Sequence, residues 1–151
     1  MNYNELKNLI IDWANDRDLI KKENAEKQYL KFLEEVGETG KAIINQNQSG
    51  IIDGFGDIAV TMIILGEQIG NSQELSDIEK PLSGITLYDV VRRVSPEFVN
   101  PSAMNFLFDC AYSYGLNLND CLLAAWEEIK ARKGKTINGT FVKNKLWKRL
   151  N

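Results

Sequence analysis

The chain has 151 residues, 44% of them apolar and 26% charged, with a formal net charge of −3. That is one domain's worth of chain with room for a sizeable core, in the proportions of an ordinary globular protein. The apolar run from Ile58 to Leu65 is too short to span a bilayer, and Met1-Asn2-Tyr3-Asn4-Glu5 lacks a basic stretch leading into an apolar one, so no membrane association and a cytoplasmic address are expected.

Cys110 and Cys121 lack metal-type spacing and are expected as buried free thiols. The charge is uneven. Lys130, Arg132, Lys133, Lys135, Lys143, Lys145, Lys148 and Arg149 are eight basic residues with no acid among them, which leaves the first 129 residues at −11. An acidic body with a basic end is not the broad basic face of a nucleic-acid binder, so no direct nucleic-acid binding is expected. It suits a site where carboxylate-bound metal meets a phosphate-bearing ligand held by Lys and Arg; a solvated tail is the plainer alternative.

In chain order, Leu6, Leu9, Ile10, Trp13 and Ala14 recur at helical spacing, which predicts a helix from about Tyr3 to Asn15 capped by Asn2 or Asn4. A second helix is predicted from Ala25 to Ile44, with Tyr29, Leu33, Val36, Gly40 and Ile43 or Ile44 on its buried stripe, ending in a polar loop from Asn45 to Gly50. The third begins near Ile51 or Ile52 and runs to Ile69, where Gly70-Asn71 stops it. Between residues 71 and 115 the pattern weakens. Short apolar faces at Leu87 to Val94 and, after the Asn100-Pro101 cap, at Ala103 to Ala111 suggest an accessory packing or oligomerisation element. A final helix is predicted from Leu118 to Lys133, capped by Asn117 and stopped by Gly134. Beyond it, Asn138-Gly139 with its flanks makes a small hairpin or an extended tail. The expected fold is all-α: one domain over residues 1–151, a bundle of about four main helices with a helical insertion at about 71–115 and a basic tail at about 134–151.

The chemistry lies in two acidic groups, five carboxylates in all. Glu38 shares a helix face with both Glu34 and Glu35, and these like charges repel until a cation relieves them. Asp53 and Asp57 repeat the spacing on the next helix. If those helices form an antiparallel hairpin, Glu38 lies eleven residues before Ser49 and Asp57 eight after it, which sets the two groups nearly level. The chain has no histidine, so His-ligated zinc and His-containing di-iron sites are excluded. Oxygen-only ligation suits Mg²⁺, or Mn²⁺, with water and substrate phosphates completing the shell. Any general base is then a carboxylate or water activated by the metal. A solvated acidic helix face is the alternative for Glu34, Glu35 and Glu38 taken alone.

At these residues the sequence resembles the MazG-like nucleotide pyrophosphohydrolases of the all-α NTP pyrophosphatase superfamily, whose signature is Glu-Glu-x-x-Glu on one helix and an acidic-x-x-Asp motif on the next. Glu34-Glu35-Val36-Gly37-Glu38 matches the first half, and Asp53-Gly54-Phe55-Gly56-Asp57 is the counterpart of the second. Similarity extends to Trp13 through Arg17, Lys27 through Lys31, Ala125 through Lys135 and Asn138 through Val142. The family glutamate three positions before the last Asp falls on Gly54, leaving Asp53, about 100° around the helix, as the nearest acid.

The resemblance implies Mg²⁺-dependent hydrolysis of a nucleoside triphosphate to the monophosphate and pyrophosphate, in a homodimer or homotetramer. By motif match Glu35, Glu38 and Asp57 are the metal ligands, and Asp53 is the substitute fourth, direct or through water, unless the site holds fewer ions. Glu34 is a further ligand or the base that orients water. Lys31, Arg132, Lys133 and Lys135 are candidates for phosphate, and Gln28, Trp13 and Asn138 for base or sugar, although Trp13 reads first as core and Lys31 equally as an ion-pair partner of Glu35. A non-catalytic helical oligomer that binds nucleotide or metal in a regulatory role is the competing expectation. Neither the base and sugar preference nor the role of residues 71–115 can be read from the sequence.

Overall fold

Asn2 opens the first helix, α1 (Tyr3–Asn15), with a reciprocal cap: its side chain accepts from Glu5 N and its own N–H donates to the Glu5 carboxylate. Leu6, Ile10, Trp13 and Ala14 fall on the buried face, as their spacing requires. After a 3-10 turn at Lys22–Asn24 comes α2 (Ala25–Ile44), and three residues later α3 (Gln48–Gln68). The structure, a computed structural model, describes residues 1–75 and 80–144. The basic residues Lys145, Lys148 and Arg149 of the tail lie outside the described residues.

The helix α3 starts a turn earlier than expected. Asn47, rather than Gly50, ends the loop, because its side chain accepts from Gly50 N and satisfies the first turn. So short a connection folds α3 back against α2 as an antiparallel hairpin.

The buried stripe of α2 differs from the expected one. Ala25, Gln28, Phe32, Glu35, Thr39 and Ala42 face inward. Leu30, Leu33 and Ile44 are instead 52%, 37% and 81% exposed. The whole face is turned by one position, about 100°. The physical reason is the contact between α2 and α3: a Cβ at Gly54 would lie 2.2 Å from Thr39 Oγ1, so the helices meet through a glycine and a small residue.

The helix α3 is apolar nearly all round and sits at the centre, against α2, α6 (Leu118–Ile129), α1 and α5 (Ala103–Tyr112). It is long and apolar enough to cross a membrane by length and composition, but these neighbours cover two thirds of it. Gly56 permits the approach to α6, since a Cβ there would meet Cys121 O at 2.3 Å. The 71–115 segment, with α4 (Leu87–Val91) and α5, adds Val90, Val94, Val99, Met104 and Leu107 to the same core. Its start is tied to α1 by the Tyr3 hydroxyl, which donates to Gln73 O. Both cysteines are free and buried.

At the other end α6 stops at Ile129 rather than Lys133. Gly134 is not a helix stop but the first residue of β1 (Gly134–Ile137), paired antiparallel with β2 (Thr140–Lys143). Asn138 and Gly139 form the two-residue turn, with φ of 51° and 81°. Apart from this hairpin and an isolated bridge between Val94 and Val99, the regular structure of the described residues is helical: an all-α bundle.

Candidate functional site

The α2–α3 hairpin brings Glu35 and Glu38 from one helix against Asp53 and Asp57 from the other. All four line a cleft of about 310 Å³ with Lys41, Asn45 and Asn47. On the opposite side, Glu35, Glu38 and Asp57 also line a cleft of about 400 Å³, here joined by Glu34, Gln28, Lys31 and Arg132. The three shared carboxylates therefore form a ridge between two hollows.

Like charge and burial act together on that ridge. Glu35 is only 8% exposed. Its pKa is pushed up to about 7 by burial, then by the charges of Asp57 and Glu38, against the lowering effect of Lys31. Asp57 is raised to about 6 by burial, then by Glu128, with Asp53 and Glu38 adding to the effect and Arg132 opposing it. Lys31 Nζ lies 2.9 Å from Glu34 Oε1 and 3.6 Å from Glu35 Oε1. Partial burial lowers the Lys31 pKa, but the Glu34 hydrogen bond and the charges of Glu34, Glu35 and Glu38 outweigh it and hold it above its ordinary value. The protein thus holds a partly buried excess of negative charge with too few cations against it.

Asp53 points into the smaller cleft beside Asp57, while Gly54 is occupied by packing. Thr39, fully buried, fills the space where a side chain at residue 54 would start, and its hydroxyl donates to Glu35 O at 2.7 Å. A side chain at residue 54, the position that corresponds to the motif glutamate, would have to displace Thr39.

The larger cleft is amphipathic. Trp13, Leu19, Val60, Ile64, Ile129 and Phe141 make an apolar wall, and Gln28 and Thr61 add polar groups. Trp13 packs edge-on to Phe141 with centroids 4.9 Å apart, so it is both core and cleft wall. Its indole Nε1 is buried without a hydrogen-bond acceptor. Arg17 builds this end of the cleft. Its guanidinium stacks 4.3 Å over the Trp13 ring and donates to Trp13 O and Arg132 O, while Thr136 Oγ1 donates to Arg17 O. One residue thus joins α1 and the end of α6 through its side chain and the hairpin through its backbone carbonyl.

Glu34, Glu35, Glu38, Asp53, Asp57, Gln28, Lys31 and Arg132 are brought together as two adjoining clefts. Lys133, Lys135 and Asn138 line neither. Asn138 instead occupies the hairpin turn, beside a separate shallow hollow with Asn24 and Lys27. Thr39, Lys41, Arg17, Thr61, Phe141 and Lys143 were not picked out as site residues from the sequence. Arg17 and Phe141 fall within matched stretches, and Lys41 follows Glu38 by one turn, so a signal existed for these three.

The side chains present fit a hard divalent cation. The donors are carboxylates from two facing helices, and burial together with the neighbouring like charges raises the pKa of two of them, Glu35 and Asp57. Among the described residues no group of three acidic or cysteine side chains is already drawn together tightly enough to hold an ion.

Comparison with known proteins is sparse. No family model matches the chain. It is 38% identical over 59 residues to a protein of Haemophilus phage HP1 (strain HP1c1) described as an uncharacterized 18.2 kDa protein in the rep-hol intergenic region. The match spans 39% of this chain and 36% of the phage protein. No solved structure matches.

Proposed function

We propose that this protein hydrolyses nucleoside triphosphates to the monophosphate and pyrophosphate in a Mg²⁺-dependent reaction, Mn²⁺ being able to substitute, as the MazG-like pyrophosphohydrolases that it resembles do. One observation carries the reading: the carboxylate ridge of Glu35, Glu38 and Asp57 borders a cleft that also holds Lys31, Arg132 and an aromatic wall. A nucleoside triphosphate has matching parts, an apolar base at one end and a polyanion that recruits metal at the other.

Glu35, Glu38 and Asp57 are the residues that would hold the cation, with Asp53 in the smaller cleft as the further candidate ligand. When bound, the cation neutralises the triphosphate and makes a water molecule more acidic. Glu34, at the rim, orients the attacking water and accepts its proton. Lys31 leaves Glu34 for a phosphate oxygen, and Arg132 contacts the phosphates from the end of α6. Trp13 and Phe141 receive the base, with Gln28 available to its polar edge. This chemistry serves control of a nucleotide pool in the cytoplasm.

A second reading has its own observation. Thr39 fills the position at Gly54 where the family motif carries a ligand, which suits a nucleotide- or metal-binding regulator without turnover. A pyrophosphate-release screen over NTPs and dNTPs, with and without Mg²⁺, separates the two. Metal-dependent release from any triphosphate supports the hydrolase. Nucleotide binding by calorimetry with no release from any candidate supports the regulator.

A further inference from the structure

We infer that the loop following α4 holds a phosphate site of its own, which takes the phosphate of a small ligand of the nucleoside monophosphate class between Arg92 and Arg93 and its planar base on Phe98. A hollow of about 180 Å³ is lined there by Arg92, Arg93, Val94, Ser95, Phe98 and Asn100. It shares no residue with either carboxylate cleft.

The loop is held in one shape by its own bonds. Val94 and Val99, both buried, pair across it as an antiparallel bridge. Ser95 N–H donates to Phe98 O, and Ser95 Oγ accepts from Glu97 N and Phe98 N. Asn100 N–H donates to Arg93 O, and Asn100 Oδ1 accepts from the Ser102 N–H and hydroxyl. The backbone N–H groups of residues 95, 97, 98 and 100 are thereby occupied. What the hollow offers a ligand is side chain: two guanidiniums and the Asn100 amide Nδ2.

Both arginines are oriented by an aromatic ring. Arg93 Cζ lies 3.5 Å over the centre of the Phe106 ring, and its Nη1 donates to Asp89 O. Arg92 Cζ lies 5.8 Å over the Tyr88 ring. A guanidinium held by its face keeps its N–H edge for an oxyanion, and two side by side can each present a fork to one phosphate. Among the described residues neither is ion-paired, unlike Lys31, Lys130 and Arg132. Asp89 is turned to Thr86, whose N–H and hydroxyl donate to it, and Glu97 lines a different hollow with Glu23 and Glu26.

Size and charge define the ligand. Ligand pockets usually enclose roughly 300–1,000 Å³, so this smaller one takes a single phosphate while the rest of the ligand lies at its rim. There Phe98, 54% exposed, offers an open ring face on which a base stacks. A polynucleotide needs a run of cations, whereas between residues 71 and 115 acids outnumber Lys80, Arg92 and Arg93. The inference does not depend on the hydrolase reading.

The test titrates AMP, ribose 5-phosphate and inorganic phosphate into the full chain in EDTA, with amide NMR shifts reporting both place and affinity. AMP shifts the amides of residues 92–100 saturably and binds more tightly than ribose 5-phosphate or phosphate. Arg92→Gln, at an exposed position, weakens AMP at least tenfold without moving Tm. Phe98→Ala weakens AMP about tenfold, to the level of ribose 5-phosphate, and leaves ribose 5-phosphate binding unchanged. Shifts at 92–100 that never saturate, shifts confined to the larger carboxylate cleft, or AMP affinity untouched by Arg92→Gln or by Phe98→Ala overturn the proposal. So does a short oligo-dT that binds these residues tenfold more tightly than AMP, because the site would then belong to a polynucleotide.

Discussion

Thr39 and Gly54 hold α2 and α3 in direct contact: a Cβ added at residue 54 would lie 2.2 Å from Thr39 Oγ1 and 2.9 Å from its Cβ. This contact sets how near Glu35 and Glu38 stand to Asp53 and Asp57, so the packing and the site share one origin. It leads to a first prediction. Overpacking of this depth costs about 1–3 kcal/mol and outweighs the roughly 1 kcal/mol that alanine gains over glycine in a helix. Gly54→Ala therefore lowers the denaturant midpoint, and combined with Thr39→Ala it costs less than the sum of the two single changes. A stabilised Gly54→Ala protein would mean that the two helices do not meet there.

The raised carboxylates give a second prediction. Glu35 at about 7 and Asp57 at about 6 stay protonated in the folded protein over a range where the unfolded chain has released its protons. The folded state then binds more protons, so these two groups make stability fall as pH rises from about 4 to about 7. Glu35→Gln flattens this slope in a thermal-melt series. Mg²⁺ competes with the same protons, so its stabilising effect grows between about pH 5.5 and 8, as a rise in Tm that follows ligand linkage. A Mg²⁺ shift that is equal at both ends, or larger at acid pH, contradicts the assignment.

Lys31 separates stability from function. Its pairs with Glu34 and Glu35 are partly exposed, so Lys31→Ala changes stability by no more than about 0.5–1 kcal/mol. As a phosphate contact in the larger cleft, however, its loss weakens triphosphate binding about tenfold, which calorimetry with a non-hydrolysable triphosphate measures. Unchanged affinity would return Lys31 to the role of helix ion-pair partner.

Much of the architecture was legible, and the misreadings have physical causes. Both bounds of α1 and α2 follow from periodicity and from the Asn2 cap. The buried face of α2 was misread because Gln28, Glu35 and Thr39 turn inward while Leu33 and Ile44 stay outside. Apolarity is a poor guide where a polar site lies between two helices and a second apolar face is left uncovered. Gly134 resembled a helix stop, but a Cβ there would lie 2.1 Å from Val142 O, so it serves the strand pairing instead. Spacing pointed to the five carboxylates Glu34, Glu35, Glu38, Asp53 and Asp57, and the motif match singled out Glu35, Glu38 and Asp57 with Asp53 as substitute. Thr39 could not be read, since nothing about a lone threonine in a helix announces that it fills a glutamate's place.

Arg17 supports a further prediction. It holds the ends of α1 and α6 through Trp13 O and Arg132 O, and it stacks on Trp13. Arg17→Lys keeps the charge but loses the planar fork, so it lowers stability by about 1–2 kcal/mol. It also changes Trp13 emission, because the indole loses its stacked guanidinium. A variant with wild-type stability and fluorescence would show that the cleft end is held by other contacts.

The central claim, that the carboxylate ridge works on a triphosphate through a divalent cation, is tested most directly by single-turnover pyrophosphate release from the best triphosphate. Wild-type protein releases pyrophosphate with Mg²⁺ and stops with EDTA. Glu38→Gln and Asp57→Asn, with unchanged helix content, each slow the step by about 10²–10³-fold, the scale of a lost electrostatic contact to the transition state. Release at the wild-type rate in both variants, or release that persists in EDTA, would contradict the account.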